Sequence, residues 1–308
     1  MLKRDFPSDD DLQNRHFVQA ADGTPIAYRA DITDRADNDG PALVFVNGFT
    51  TSNSYWRYLL ERFRGRASLV TWDLKGHGNS GAARSEEGAT IEATVDDLRR
   101  VMDASGIDQA TLLGFSLGAQ IIMEAWRQMP ERISGLVPIL GPFEHTFDSA
   151  LPPLVGPAFW RLFEKYGPEA ADLLLSGAYR ASKLPITWSL VKALGYVGES
   201  VKFEEMQPFF EHLGDVHGPT WAKLGISAHN HSAADILPTV DVPTLIVSGG
   251  EDNLAPAELG RRMQRMIPSS ELMVVPEATH AGLLGQREQI EGWVERFLGT
   301  HELVGDAE

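Results

Sequence analysis

The sequence contains no cysteine and no long apolar run, and each absence excludes a class of protein. Because none of its 308 residues is cysteine, the chain has no disulfide scaffold, no thiolate metal site and no cysteine nucleophile. The longest apolar stretches, such as residues 42–46, are about five residues long, whereas a bilayer span needs about 20. We therefore expect no membrane span.

Basic residues are few compared with acidic ones. Lys and Arg number 27 against 43 Asp and Glu, so the net charge is −16. A field of this sign repels polyphosphate and an anionic membrane surface, and we expect no nucleic-acid partner. Acidic residues rather than an apolar run follow Lys3 and Arg4. We therefore expect no secretory signal and a cytoplasmic location.

Short apolar runs alternate with helical patterns along most of the chain. Residues 1–14 are polar and are predicted to form a loose tail, and Asp22-Gly23 predicts a hairpin turn within 17–30. Further strands are predicted at 42–47, 68–72, 110–115, 133–140, 244–248 and 272–275, and helices at 53–63, 91–102, 117–128, 256–266 and 284–298. This alternation predicts an α/β fold with a mostly parallel sheet flanked by helices.

Residues 141–238, called the inserted segment below, break the alternation because they contain no convincing strand. Helices are predicted there at about 153–166, 168–179, 186–196, 202–213 and 219–228. Its large aromatic residues include Phe143, Phe147, Phe159, Trp160, Phe163, Trp188, Phe209, Phe210 and Trp221. We interpret it as a helical cap inserted between core residues 1–140 and 239–308. A second, independent helical domain is the alternative, and the return of the alternation at Thr244 favours the insertion.

The pattern GFSLG at 114–118 lies between a predicted strand and a predicted helix. A G-x-S-x-G sequence in this context is typical of a sharp turn that exposes a serine nucleophile. Ser116 would stand over a helix N-terminus, where the Leu117 N–H can stabilise an oxyanion. The alternative is a serine that only caps the helix.

A serine hydroxyl needs a base, and the base needs an acid. Of nine histidines only His280 lies between a late strand and a helix, and we predict it to be the base. The acid is predicted to be Asp252, with the adjacent Glu251 as fallback, unless the two form an acidic turn without a role. The chain order Ser116, Asp252, His280 is the one expected of this architecture.

A second oxyanion donor is expected from the loop after an early strand. Gly48 allows a tight turn there, so the N–H of Phe49 can face the hydroxyl of Ser116. The alternative is a glycine turn that only ends the strand.

These motifs together resemble the α/β-hydrolase fold family, in its serine esterase-like branch with a helical cap. The resemblance covers residues 17–298 and includes D-x-x-G-H-G-x-S at 73–80, a structural turn in the family, which implies that His77 is not the base. Relatives that open epoxides or remove halogens carry Asp at the elbow, and Ser116 argues against those reactions. One departure is Asn47, where the family usually has a structural His.

The predicted function is hydrolysis of a carboxylic ester, lactone or thioester of a small, largely apolar molecule through an acyl-enzyme. The aromatic residues of the inserted segment suggest an apolar pocket, although most of them are expected to build its own core. We expect no cofactor and no metal ion, and the oligomeric state stays open. The alternatives are a perhydrolase or acyltransferase with the same triad, a receptor with slow turnover, and an interaction protein.

Overall fold

The computed structural model describes residues 15–33, 40–146 and 156–306, with side chains from 158 onward in the last range. The predicted loose tail at 1–14 lies outside these residues. So do residues 34–39 and the stretch 147–155, which includes Phe147.

Among the described residues, eight strands form one mostly parallel sheet, as predicted. They are β1 (His16–Gln19), β2 (Pro25–Asp31), β3 (Ala42–Val46), β4 (Ser68–Trp72), β5 (Ala110–Phe115), β6 (Ile133–Ile139), β7 (Thr244–Gly249) and β8 (Ser270–Val275). Their order across the sheet is β1-β2-β4-β3-β5-β6-β7-β8. The β1–β2 hairpin pairs antiparallel and β2 lies antiparallel to β4, whereas all pairs from β4 to β8 are parallel.

In the described residues, ten helices accompany the sheet. They are α1 (Arg57–Phe63), α2 (Ile91–Ala104), α3 (Leu117–Gln128), α4 (Gly156–Ser182), α5 (Pro185–Ala193), α6 (Phe203–His212), α7 (Gly218–Asn230), α8 (Ala257–Met266), α9 (Gly282–Gly285) and α10 (Arg287–Thr300). The helices α4 to α7 lie between β6 and β7 in the chain, where the helical insertion is predicted. Within the described ranges, no helix combines the length and apolarity that crossing a bilayer requires.

The core lies on both faces of the sheet, because the central strands β3 and β5 are buried at every position. In β3, Val44 and Val46 face a cluster formed with α2, α3 and α8, whereas Leu43 and Phe45 face one formed with α1 and α10. All four side chains are inaccessible to solvent, as is typical of a parallel strand covered by helices on both sides.

The prediction of two helices at 153–166 and 168–179 is wrong, because α4 runs without a break through Pro168. A proline inside a helix removes one backbone hydrogen bond and usually kinks or ends it. Here the tertiary packing outweighs that cost: Ala171 and Leu175 are buried, and the Gly218 N–H at the start of α7 donates to Asp172 Oδ1 at 2.8 Å. The helix predicted at 284–298 is instead two helices, α9 and α10, that meet at Gln286.

Both ends of the inserted segment are joined to each other and to α3. Glu144 and Ser232 form an antiparallel bridge, which brings the two connections together. The His231 Nε2 lies 2.9 Å from Glu124 Oε2, and the Gln120 side-chain amide donates to the His231 carbonyl at 3.0 Å. Gln120 and Glu124 belong to α3, so the inserted segment is attached to the helix that begins directly after Ser116.

Candidate active site

The predicted site residues lie on loops that follow parallel strands. Ser116 follows β5, Asp252 lies beyond the end of β7, and His280 lies beyond the end of β8. The loop at 47–51 follows β3, and the loop at 73–80 follows β4. Because parallel strands end at the same edge of a sheet, one edge collects all five loops, as is usual for ligand sites in α/β folds.

Ser116 has a strained backbone between β5 and α3. Its φ of 54° and ψ of −118° lie in the left-handed half of the dihedral map, and its N–H donates to the Ile139 carbonyl at 2.9 Å. Only glycine fits at position 118, because a Cβ there would lie 2.2 Å from the Val46 carbonyl oxygen. The tight turn therefore presents the Ser116 side chain at the sheet edge, as the G-x-S-x-G pattern predicts.

His280 joins the serine to an acid. Its Nε2 lies 2.9 Å from Ser116 Oγ, and its Nδ1 lies 2.9 Å from Asp252 Oδ2. An ionised carboxylate only accepts hydrogen bonds, so Nδ1 carries the proton and Nε2 is the acceptor for the serine hydroxyl. This tautomer is the one that a general base requires.

Asp252 is buried and held from both sides. Its side chain has no solvent exposure, and its Oδ1 accepts the N–H groups of Leu254 and Ala255, both at 2.9 Å. This leaves Oδ2 directed at His280. The fallback residue Glu251 is exposed, and its N–H donates to the Ala278 carbonyl at 3.0 Å. The structure thus brings Asp252, and not Glu251, to the histidine.

The loop after β3 approaches the serine closely at Gly48. A Cβ at this position would lie 2.9 Å from Ser116 Cβ, so the backbone reaches the serine only because no side chain intervenes. Phe49 follows directly. Leu117 is the first residue of α3, where backbone N–H groups have no partner within the helix. Phe49 and Leu117 therefore lie on the two segments that flank Ser116.

The side-chain amide of Asn47 fixes the start of this loop through both its oxygen and its nitrogen. Its Oδ1 accepts the Trp56 Nε1–H at 2.9 Å, and its Nδ2 donates to Asn53 Oδ1 at 2.8 Å and to the Trp72 carbonyl at 2.9 Å. The side chain is buried. The neutral amide of Asn47 thus holds this loop by hydrogen bonds, at the position where the family usually has a structural histidine.

His77 contacts the same loop. Its Nδ1 donates to the Lys75 carbonyl at 3.0 Å, so its Nε2 accepts the Thr50 N–H at 3.3 Å. Burial lowers the pKa of His77 to about 4, and the nearby His212 adds to this effect. The imidazole is therefore neutral and able to accept at neutral pH.

His212, on α6 of the inserted segment, stacks over His77 with ring centroids 5.9 Å apart. It is 6 % exposed, and none of the described residues offers its Nε2 a hydrogen-bond partner. Burial lowers the pKa of His212 to about 4. Sequence patterns did not single out this residue, because its surroundings come from the distant loop at 73–80.

The depressed pKa of His212 predicts acid-sensitive stability. Between pH 6.5 and pH 4 the unfolded imidazole binds a proton that the folded one excludes, so lowering the pH reduces the free energy of unfolding. When the pH is lowered from 7 to 5, we expect the free energy of unfolding of the wild-type protein to fall by roughly 1–2 kcal/mol more than that of His212→Phe or His212→Asn. Urea unfolding at both pH values measures this difference. If the difference in free energy of unfolding between wild type and both variants were the same at both pH values, a depressed pKa of His212 would be contradicted.

A cluster of aromatic side chains lies beside His280. The Phe115 ring lies 5.3 Å from the His280 ring and stacks on Tyr55 at 5.1 Å between centroids. From α6, Phe209 meets the Tyr55 ring edge-on and Met206 accepts its hydroxyl hydrogen bond at 3.6 Å through sulfur. The inserted segment therefore contacts the core beside His280. In the described part of the chain no group of three or more His, Asp or Glu is placed to hold one metal ion.

Comparison with known proteins identifies the family of the chain. Residues 41–285 match the model of the alpha/beta hydrolase fold. The chain is 25% identical over 254 residues to the pimeloyl-[acyl-carrier protein] methyl ester esterase of Nitrosomonas europaea, covering 82% of this chain and 93% of that protein. It is 23% identical over 271 residues to epoxide hydrolase 4 of Mus musculus, covering 84% and 73% respectively.

A solved structure has the same fold. The esterase from Exiguobacterium antarcticum superposes with a TM-score of 0.69 at 23% identity, covering 92% of this chain and 98% of the other. The family model, the strand order and the shared fold lead to one conclusion: the chain belongs to the α/β-hydrolase fold family.

Proposed function

We propose that the protein is a serine hydrolase that cleaves a carboxylic ester of a small, largely apolar substrate. The observation that carries the proposal is the hydrogen-bonded series Ser116, His280, Asp252, with 2.9 Å at each of its two contacts. Such a series allows a serine to attack a carbonyl at neutral pH.

In the first step His280 Nε2 takes the proton of Ser116 as Oγ bonds to the ester carbonyl carbon. The carbonyl oxygen becomes an oxyanion, which the N–H groups of Phe49 and Leu117 stabilise. Asp252 stabilises the imidazolium that forms. When the tetrahedral intermediate collapses, the carbon–oxygen bond to the alcohol breaks and His280 protonates the departing oxygen.

In the second step water replaces the alcohol. His280 removes a proton from water, whose oxygen attacks the acyl carbon, and the same two N–H groups hold the second oxyanion. The carboxylic acid is released when Ser116 regains its proton from His280. Both half-reactions use only these side chains, the two backbone amides and water.

The residue at the elbow favours esters over epoxides. One relative is named an epoxide hydrolase and another a methyl ester esterase. By the family resemblance, epoxide opening uses Asp at the elbow, and this chain has Ser116 there. A serine nucleophile with a histidine base suits an acyl group, which a second histidine-assisted step then transfers to water.

We further propose that the inserted segment, residues 141–238, acts as a cap that completes an apolar pocket. The side chains that support this are Met206 and Phe209 of α6, which reach Tyr55 beside Phe115 and His280. Other aromatic residues of the segment, such as Trp160 and Phe163, pack against each other. The net charge of −16 disfavours strongly anionic substrates.

A panel of esters, lactones and thioesters with acyl chains of increasing length tests this function. We expect turnover of neutral esters to carboxylic acid and alcohol, with kcat/KM rising with apolar chain length until the pocket is full. Adding hydrogen peroxide or a second alcohol distinguishes a perhydrolase or acyltransferase, because the acyl product then changes. Tight binding without turnover across the panel would contradict hydrolysis and favour the receptor alternative.

A further inference from the structure

Thr50, next to the proposed oxyanion donor Phe49, is held in an unfavourable backbone conformation. Its φ is 65°, in the left-handed region, although its side chain is β-branched. This conformation is unfavourable for a residue other than glycine. Thr50 is also buried, so contacts within the protein must hold it in place.

Two sets of contacts on the core side hold the loop. The Thr50 N–H donates to His77 Nε2 at 3.3 Å, and the Nδ1 of His77 is occupied by the Lys75 carbonyl. The Thr51 N–H and hydroxyl both donate to the Gly48 carbonyl, at 3.3 Å and 3.0 Å. These bonds fix the backbone on either side of Phe49 but leave the Thr50 hydroxyl to another partner.

That partner comes from the inserted segment. Trp221 of α7 donates from its indole Nε1 to Thr50 Oγ1 at 2.8 Å. The same indole stacks on the Phe49 ring, with centroids 4.8 Å apart and planes 21° from parallel. One turn further along α7, a Cβ at Gly225 would lie 3.0 Å from the tip of the Phe49 ring. Helix α7 therefore covers Phe49 and Thr50 together.

The position of Trp221 is itself fixed by bonds between α7 and the core. The His217 N–H donates to the Gly76 carbonyl at 2.7 Å, and Thr220 Oγ1 accepts the Ala83 N–H at 3.1 Å. Ser227 Oγ accepts the Ile91 N–H at the start of α2 at 3.0 Å. These bonds hold α7 against the core along its length and so fix the position of the Trp221 indole beside the loop.

We propose that Trp221 is a positioning residue for the oxyanion hole, through which the inserted segment takes part in catalysis. Its hydrogen bond and ring contact hold Thr50 and Phe49 so that the Phe49 N–H faces the oxyanion. This inference rests on the proposed ester hydrolysis at Ser116. Because an oxyanion donor acts mainly in the transition state, loss of the contact lowers kcat more than it raises KM.

The variant Trp221→Phe tests this role, since it retains an aromatic ring against Phe49 and removes the indole N–H. We expect kcat for a neutral ester to fall about 10-fold or more, with KM changed by less than about threefold. Inhibition by a trifluoromethyl ketone, whose serine adduct carries an oxyanion, weakens by a similar factor. The control is Trp188→Phe on α5, whose ring packs on Phe203 at 5.6 Å, and its kcat stays at the wild-type value.

A double-mutant cycle separates positioning from a general loss of structure. Thr50→Val keeps the shape of the side chain and removes the hydroxyl, so adding Trp221→Phe to it should have little further effect. Thr50→Ser keeps the hydroxyl and should retain most of kcat.

The inference would be overturned if Trp221→Phe kept the wild-type kcat. It would also be overturned if Trp221→Phe lowered kcat by the same factor with and without Thr50→Val. Either result would leave the proposed ester hydrolysis unaffected. Absence of ester turnover in the wild-type protein would instead reject the proposed function, and this inference with it.

Discussion

Replacing Ser116 by Ala is expected to lower kcat for ester hydrolysis by roughly 10⁴- to 10⁶-fold. The hydroxyl lies 2.9 Å from His280 Nε2, and the acyl-enzyme cannot form without it. The proposed oxyanion donors and substrate pocket remain, so KM should change far less than kcat. Initial rates on a chromogenic ester, corrected for the background reaction, measure the loss.

The control for this variant is Ser176→Ala, which removes a serine on α4 whose hydroxyl donates to the nearby Leu173 carbonyl. It should leave kcat unchanged. Circular dichroism and thermal unfolding of both variants check that the fold is retained. Ester turnover by Ser116→Ala at the wild-type rate would show that another group is the nucleophile and would reject the mechanism.

Replacing Asp252 by Asn is expected to lower kcat about 10⁴-fold. The carboxylate accepts the His280 Nδ1–H at 2.9 Å, and this bond leaves Nε2 free of hydrogen. Because the N–H groups of Leu254 and Ala255 both point at Oδ1, an amide keeps its oxygen there and turns its NH₂ group toward the histidine. The imidazole then adopts the wrong tautomer and cannot accept the serine proton.

The neighbouring Glu251→Gln provides a matched control, since it makes the same chemical change one residue away. Glu251 is exposed, and this variant should keep kcat within about twofold of wild type. If Glu251→Gln lost activity and Asp252→Asn kept it, the acid would be misassigned. Equal activity of both variants and wild type would show that His280 needs no carboxylate.

The sheet and the order of the site residues could be predicted because they depend on local patterns. Largely apolar runs such as 42–46 and 110–115 indicate strands covered on both faces, and parallel pairing then brings their carboxyl ends to one edge. The structure confirms that sheet. In it His280 lies within hydrogen-bonding distance of both Ser116 and Asp252.

The inserted segment was harder to predict, because packing there outweighs local preference. Pro168 suggests a helix end, yet α4 continues through it while packed along α7. The contact between Trp221 and Thr50 joins residues 171 positions apart, and no periodicity in either segment indicates it. The network around Asn47 likewise depends on Trp56 and Asn53 folding back onto the loop.

The most direct test of the central proposal, a serine acyl-enzyme at the elbow, is labelling with a fluorophosphonate followed by peptide mass spectrometry. The proposed mechanism predicts one adduct per chain, located on Ser116, with ester turnover lost in proportion to labelling. His280→Ala should label far more slowly, because the serine then lacks its base. Full ester turnover in a protein labelled completely at Ser116, or an inactivating adduct on another residue, would contradict the proposal.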